Sequence, residues 1–423
     1  MRLRGLASGL VWLAGTGPAG AGGEAWLASE LDRLNLEGRR APEAAAAAFV
    51  DRAVDLPGFA ELCFGDYLED SLAELEGYMT RSDFRAYVEA HRGRLLESLR
   101  QRLVDDLGAR LAAGLPTLEA ASSDFDGAAG RAEITVPGGG PIRCHLRRTE
   151  EGWRLRDLRL QDRRLSRMYR RRFEDVLDRR DSPAVLEARL AGREYIVLED
   201  FSFSEPGDLP MGWGWRDRDD DAEKPYRVRR HGRDAFVEAR VSDSSILILS
   251  LAQWNPRRFP ILTWCWRADR LPEGGDERFG ATNDSAAGVY VFYSLTWLGA
   301  PRHVKYVWST TLPLDTVGRR NRIFRPWYIV AESGAENLGR WTFEAVDLER
   351  DHGRTYGGDP KDRTVGLGLL TDANNTGTRA EACYGELRAW TREAWEQGRV
   401  VDHCGGLRGP PALTGSTSRE VTP

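Results

Sequence analysis

The chain has 423 residues, with 60 Lys and Arg against 65 Asp and Glu and a formal net charge of -5. That balance excludes a general nucleic-acid binder, although arginine is concentrated locally. The length exceeds that of a usual single domain, so two domains with separate cores are expected.

At the N-terminus, Arg2 and Arg4, the apolar stretch Leu6 to Leu13 and the small residues around Ala19-Gly20-Ala21 have the order of an export signal. The apolar run is too short to span a bilayer, which takes about 20 residues. Segment 1–21 is therefore read as a signal peptide, with no cysteine after it to suggest a lipid anchor. Cys63, Cys144, Cys265, Cys383 and Cys404 are too scattered for a disulfide scaffold and form no CxxC or metal-like cluster. They read as isolated buried thiols, with Cys383 and Cys404 the pairing that an exported chain would allow.

Pro42 to Val54 reads as an alanine-rich helix with Pro42 in its first turn, ended by Leu56-Pro57-Gly58. Phe59 to Leu75 resumes helical spacing. Thr80 with Asp83 then resembles a capping box before a long helix whose stripe is Phe84, Tyr87, Val88, Leu95, Leu99, Leu103 and Leu107. Past Gly114 and Pro116 the period becomes two, and Leu118 to Phe125, Arg131 to Val136, Ile142 to Arg148 and Trp153 to Leu160 read as four strands. A helix from Leu165 to Arg180 folds back over them, and a short one follows at Pro183 to Leu190. The result is an α+β domain over 22–193. Its curved sheet and greasy helix either close into a packed core or leave a pocket that something apolar must fill.

From Tyr195 the composition shifts to tryptophan, glycine and short alternating runs. Ile196 to Phe201, Ala235 to Val241, Ser245 to Leu251, Ile261 to Ala268, Gly288 to Tyr293, His303 to Ser309, Trp327 to Ala331, Trp341 to Val346, Val365 to Thr371 and Ala382 to Trp390 read as strands. So many short strands predict an all-β, jelly-roll-like sandwich over 194–395. The tail, 396–423, has too little apolar content to fold and reads as disordered.

Phe59 to Leu190 resembles the MlaC-type periplasmic phospholipid carriers, also described as toluene-tolerance or auxiliary transport proteins. The residues behind this are Val54-Asp55 with Gly65-Asp66-Tyr67, M-T-R-S-D-F-R-A-Y from Met79, W-R-L-R-D-L from Trp153 and L-x-x-x-Y-R-x-x-F from Leu165. Asp162 and Arg164 stand where the family favours glycine and serine. The resemblance implies an NTF2-like curved sheet around a deep apolar cavity, a bound phospholipid, a periplasmic setting in a Gram-negative bacterium and lipid exchange with membrane transport complexes. The residues expected to line that cavity are Phe84, Tyr87, Val88, Leu99, Leu103, Ile134, Leu146, Leu155, Leu158, Tyr169, Arg170, Phe173 and Leu177. Arg163, Arg164, Arg167, Arg170, Arg171 and Arg172 suit a solvated face, or a lipid phosphate if they sit at a pocket mouth.

Tyr195 to Trp390 resembles an uncharacterised bacterial family known only as a domain of unknown function. The matching pieces are Trp264 and Trp266, Val289-Tyr290-Val291-Phe292, Tyr306-Val307-Trp308, Val330 to Gly334, and G-L-G-L-L-T-D-A-N-N-T from Gly366 with Tyr384-Gly385-Glu386. Asp372, Asn374, Asn375 and Thr376 form an oxygen-rich loop of a type that ligates calcium or sugar hydroxyls, for which turn chemistry is the simpler account. Asp217, Asp219, Asp220 and Asp221 read as a solvated loop. Trp213, Trp215, Trp264, Trp266, Trp297, Trp308, Trp327 and Trp341 suit a core, with a glycan-stacking surface as the other use.

No nucleophile or zinc motif accompanies His231, His303 or His352, so no catalytic residue, cofactor or metal is expected. Carboxylate pairs such as Glu332 with Glu336, or Glu344 with Asp347, are recognisable only from their separation in space. The leading expectation is a non-enzymatic phospholipid-binding and transport protein whose sandwich engages a partner or envelope glycan. The alternative is a polysaccharide-binding or polysaccharide-cleaving sandwich with a helical appendage.

Overall fold

The structure, a computed structural model, describes residues 21–215, 225–296, 299–319 and 326–408, without the side chains of Ala21 and Trp215. The segment up to residue 20, expected to be a signal peptide, Asp217, Asp219, Asp220, Asp221, Trp297 and the tail beyond 408 lie outside the described residues. Helices and strands mix in an α+β chain that divides into two compact units, one of residues up to 66 with 96–177, the other of 67–95 with the residues from 178 onward.

In chain order the helices are α1 (Ala21–Gly38), α2 (Pro42–Ala53), α3 (Leu56–Phe64), α4 (Tyr67–Leu72), α5 (Arg81–Ala112), α6 (Leu165–Arg172), α7 (Glu174–Asp178), α8 (Pro183–Leu190), α9 (Leu348–Tyr356), α10 (Arg392–Glu396) and α11 (Gly405–Arg408). Local chemistry sets several of their ends. Pro42 opens α2, and the Asp55 carboxylate caps α3 by accepting from Gly58 N at 3.1 Å. Gly65, at φ 59°, ends α3 in a conformation that costs other residues more. That break divides the helix expected from Phe59 to Leu75, and a short 3-10 segment, Ala73–Tyr78, follows α4. Thr80 Oγ1 accepts from Asp83 N at 3.2 Å and donates to Asp83 Oδ2 at 2.6 Å, so α5 starts where the capping pattern puts it.

The first unit holds a five-stranded antiparallel meander, β1 (Glu119–Asp126), β2 (Ala129–Thr135), β3 (Ile142–Thr149), β4 (Gly152–Leu160) and β5 (Arg163–Arg164), in that spatial order. Alternation puts Ala132, Ile134, Cys144, Leu146, Trp153 and Leu155 on its buried face. Register shifts between Ala120 and Ser122, and between His145 and Leu146, bend the strands. Helix α1, which the sequence reading passes over, adds Leu27, Leu31 and Leu34 to this core. The single helix expected from Leu165 to Arg180 is two, because Phe173 leaves helical geometry where its ring packs on Phe64 at 6.4 Å between centroids.

The second unit contains a β-sandwich built from β6 (Tyr195–Glu199), β7 (Trp213–Trp215), β8 (Tyr226–His231), β9 (Asp234–Ser242), β10 (Ile248–Ser250), β11 (Ile261–Arg270), β12 (Ala287–Leu295), β13 (Pro301–Ser309), β14 (Val317–Arg319), β15 (Trp327–Ser333), β16 (Thr342–Asp347), β17 (Gly366–Leu370) and β18 (Arg379–Trp390). One sheet has the order β14-β15-β13-β12-β17-β10-β7. The other runs β16-β11-β18-β9-β8, with β6 also paired to β18, and β13 with β15 is the parallel pair. Between the sheets, Trp264 meets Tyr306 at 5.6 Å and Trp266 meets Trp308 at 5.8 Å. The Tyr384 hydroxyl accepts from Gly288 N at 3.3 Å and exchanges a hydrogen bond with Thr371 Oγ1 at 2.8 Å, which satisfies a buried polar group across the layers.

The cysteine expectation is corrected. Cys265 on β11 is bonded to Cys404, while Cys383 remains a thiol in the same cluster, its pKa pushed up to about 12 by burial. The reading of 396–423 as disordered is corrected over 396–408 as well. Buried Cys404 and Leu407 pack against Trp341, and Arg408 Nε donates to Trp341 O at 3.2 Å. The chain reaches this seat because the disulfide supplies the anchoring that apolar content alone does not. Opening the bond with Cys404→Ser should destabilise the protein by about 2–5 kcal/mol, read as a fall in melting temperature. Thiol titration of the unfolded, unreduced wild type should find the free thiols of Cys63, Cys144 and Cys383 and no others.

Candidate functional site

In the first unit, side chains from α1, α2, α3, α5, α6 and the meander surround a cavity of about 510 Å³. Its size falls within the range of about 300–1,000 Å³ typical of ligand pockets. Helix α1 contributes Trp26, Leu27, Leu31 and Leu34; α2 contributes Phe49, Val50 and Ala53. Leu103 and Leu107 come from α5, Ile134, Ile142, Cys144, Leu155 and Leu158 from the sheet, and Leu165, Met168 and Tyr169 from α6. Trp26, Phe49, Leu103, Leu107, Ile142 and Leu158 are only partly buried although they sit against the core. Their water-facing apolar area is the surface of the cavity, and covering it is worth about 25 cal/mol per Å².

Several polar groups on this lining are paired. Tyr169 Oη donates to Asp106 Oδ2 at 2.7 Å, Arg102 reaches Asp106 Oδ1 at 3.0 Å and Arg172 lies 3.8 Å from Oδ2. Burial, then the bond to Asp106, raise the Tyr169 pKa well above its ordinary value, so the phenol stays protonated as a donor. Burial likewise pushes the Cys144 thiol up to about 12. Asp157, 2 % exposed, accepts from Ser166 N at 3.1 Å and from Ser166 Oγ at 2.8 Å. A carboxylate thus caps the first turn of α6 and holds the cavity's helical wall to β4.

Of the residues expected to line a pocket, the structure brings together Leu103, Ile134, Leu155, Leu158 and Tyr169. Leu99 and Leu146 are instead fully packed in the same unit, and Leu177 is buried. Phe173 packs on Phe64 and Tyr169, while Arg170 turns to Cys63 O at 3.4 Å. Phe84, Tyr87 and Val88 belong to the second unit, where they cluster with Leu68, Leu72 and Leu75. Arg163, Arg164, Arg167, Arg170, Arg171 and Arg172 are all exposed, and Arg172 is on the cavity lining. The α1 residues were missed, although Leu27, Leu31 and Leu34 carry the i, i+4, i+7 spacing that marks a buried helix face.

In the sandwich, the oxygen-rich loop turns its donors inward. Asn375 N donates to Asp284 Oδ1 at 3.1 Å, and Thr376 N and Oγ1 donate to Oδ2 at 2.6 and 2.7 Å. Asp372 is buried, and its pKa is pushed up to about 6 by desolvation, with Lys305 opposing and Asp284 reinforcing the shift. Among the described residues no cluster of three or more His, Cys, Asp or Glu is placed to hold a metal ion, and no helix is long and apolar enough to cross a membrane. Trp264, Trp266 and Trp308 are core, as are Trp213 and Trp341, while Trp327 is partly exposed. Asp347 caps α9 and binds Arg392 at 2.5 Å, which holds its pKa low despite burial. Glu344 takes a hydrogen bond from Trp266 Nε1 at 3.1 Å, and burial, then the nearby Glu332 charge, push its pKa up to about 8.

Residues 213–388 match a family described as a protein of unknown function, DUF3047. The search of curated proteins returned no match. Among solved structures, similarity extends to a phospholipid-binding protein from Ralstonia solanacearum, determined in complex with a phospholipid. It is 16% identical, with 40% of this chain and 97% of that chain covered and a TM-score of 0.26. The xyloglucanase domain of NopAA, a type three effector from Sinorhizobium fredii in complex with cellobiose, is 9% identical over 44% of this chain and 97% of that chain, with a TM-score of 0.24. A mutant of the ENZbleach xylanase is 10% identical over 41% of this chain and 81% of that chain, with a TM-score of 0.20.

Removing the α6 cap with Asp157→Ala should cost about 2 kcal/mol, because a buried donor loses a charged acceptor. Hydrogen exchange at the Ser166 amide should accelerate accordingly, and Asp157→Asn should recover part of the loss. Glu344 gives a second expectation. The folded state keeps its proton up to about pH 8, whereas the unfolded state releases it near the ordinary carboxylate value. Stability from this group is therefore complete below the ordinary carboxylate value, falls as pH rises above it and is lost by about pH 8. Glu344→Gln keeps an acceptor for Trp266, so its denaturation midpoint should exceed that of the wild type at pH 8.5 and approach it at pH 5.

Proposed function

We propose that the protein binds phospholipid by its acyl chains in the first-unit cavity and acts as a carrier in the periplasm of a Gram-negative bacterium. The observation that carries this reading is the cavity of about 510 Å³ whose lining is mostly apolar, with Tyr169 and Arg172 turned to Asp106 and Asp157 to Ser166. Each methylene that enters gains about 0.8 kcal/mol, so an acyl chain readily offsets the cost of ordering it. Arg110 and Arg172 on the lining offer guanidinium groups to a lipid phosphate. The carrier-like motif block, with Asp157 holding α6 and Tyr169 anchored at Asp106, supports the same reading. On this proposal the sandwich is a binding module for a membrane transport complex or envelope glycan, and the protein is not an enzyme.

Native mass spectrometry with lipid extraction, on the full exported chain purified from a bacterial periplasm, should find one phospholipid per protein. Leu107→Arg and Leu158→Arg place a charge on the apolar wall and should each lower lipid occupancy at least tenfold while leaving the fold intact by circular dichroism. An apo mass that stays unchanged after incubation with phosphatidylethanolamine and phosphatidylglycerol vesicles would overturn the reading.

A further inference from the structure

The second unit contains its own cavity, of about 450 Å³, walled by parts of α4, α5, α8 and β6 and by the segments around Phe203 and Trp254. Most charges on its lining are already committed. Arg258 pairs with Asp181 at 2.7 Å, Arg180 with Asp70 at 3.4 Å and Arg363 with Glu74 at 3.4 Å. Arg94 lies in the field of Glu187, yet its hydrogen bonds go to Asp200 and to Ser202 Oγ, and its guanidinium stacks on Phe203 at 4.0 Å.

Two buried groups on this lining have polar atoms that make no hydrogen bond. Glu187 is 4 % exposed, its Oε1 receives no hydrogen bond, and His91 Nδ1 lies 3.5 Å from it. His91 has no hydrogen bond at either ring nitrogen and is held edge-on between Tyr87 at 4.6 Å and Phe203 at 5.0 Å. Glu199 completes the floor, accepting from Phe201 N at 2.6 Å and Trp213 Nε1 at 2.7 Å. With Arg94 bonded to Asp200 and the Glu199 pKa pushed up to about 7 by burial, then by the Asp200 charge, Glu187 is left as the buried carboxylate on this lining with an oxygen that no N–H group reaches.

A buried carboxylate without a donor costs far more than one that is paired. An anion entering here would meet the Glu187 carboxylate, and a wholly apolar ligand would leave Glu187 unmatched. A cation with an apolar arm satisfies both demands: its N–H groups complete Glu187, its charge faces the rings of Tyr87 and Phe203, and its arm lies against Leu72 and Val185. We propose that this cavity is a binding site for a small organic cation, an ammonium group carried on an apolar arm, separate from the apolar cavity of the first unit.

Titration calorimetry of the full chain at pH 7.5 with 2-phenylethylammonium tests this, with 2-phenylethanol and 3-phenylpropanoate as neutral and anionic counterparts of the same shape. The ammonium should bind at least tenfold more tightly than the alcohol, and the carboxylate should not bind. Glu187→Gln should weaken the ammonium at least tenfold and leave the alcohol unchanged, and Ala184→Phe, which fills the cavity, should abolish binding. Equal affinity for ammonium and alcohol, no binding of the ammonium, or an unaffected Glu187→Gln would each overturn the proposal. If Glu187→Gln does not fold, the comparison of the three ligands on the wild type decides it.

Discussion

The curved apolar face of the first unit's meander and the helices around it enclose a cavity rather than a filled core. Bends at Ala120–Ser122 and His145–Leu146 turn that face inward, and α1, α2, α5 and α6 close around it without meeting at its centre. Leu103, Leu107 and Leu158 therefore stay partly accessible on the inside of a folded unit. The polar groups follow from the same constraint. Asp157 is spent on the first turn of α6, and Asp106 collects Tyr169, Arg102 and Arg172, so both carboxylates on the lining are matched.

The sandwich meets a similar demand with bulk. Trp264, Trp266, Trp308 and Tyr306 occupy the interlayer space, and the hydroxyls of Tyr226 and Tyr384 reach backbone groups of the facing sheet. Rings of this size bury a large area while keeping few rotatable bonds, which suits an interlayer core built from a few large side chains. The Cys265–Cys404 bond then holds the C-terminal segment against Trp341, a place where few apolar contacts would otherwise retain it.

Much of this was readable from local pattern. The four long strands of the meander lie within a few residues of the alternating runs, because alternation reports directly on a sheet with one buried face. Pro42, Thr80 with Asp83 and Pro183 mark helix starts because caps and first-turn prolines act on neighbouring backbone. Other features were hidden. The stripe on α5 is continuous in sequence, yet its Phe84, Tyr87 and Val88 join one unit and its Leu103 and Leu107 the other. Periodicity says that a face is buried and is silent about what buries it. The short strands Trp213–Trp215 and Val317–Arg319 escaped because three residues are too few to show a period.

The candidate site divides along the same line. Leu155, Leu158 and Tyr169 could be named from the strand and helix that carry them, whereas the contribution of α1 and the retreat of Phe173 into packing on Phe64 depend on three-dimensional neighbours. Cys404 lies 139 residues from Cys265, and its pairing follows from where β11 and the C-terminal segment meet. The sequence by itself determined the α+β class, the change from helical to alternating period near Gly114 and the aromatic character of the sandwich core, because these are properties of neighbouring residues and their intrinsic geometry. Which apolar faces meet, which leave space between them and which thiols and carboxylates find partners was decided only by tertiary structure, because packing and electrostatics act between groups that the chain order does not place together.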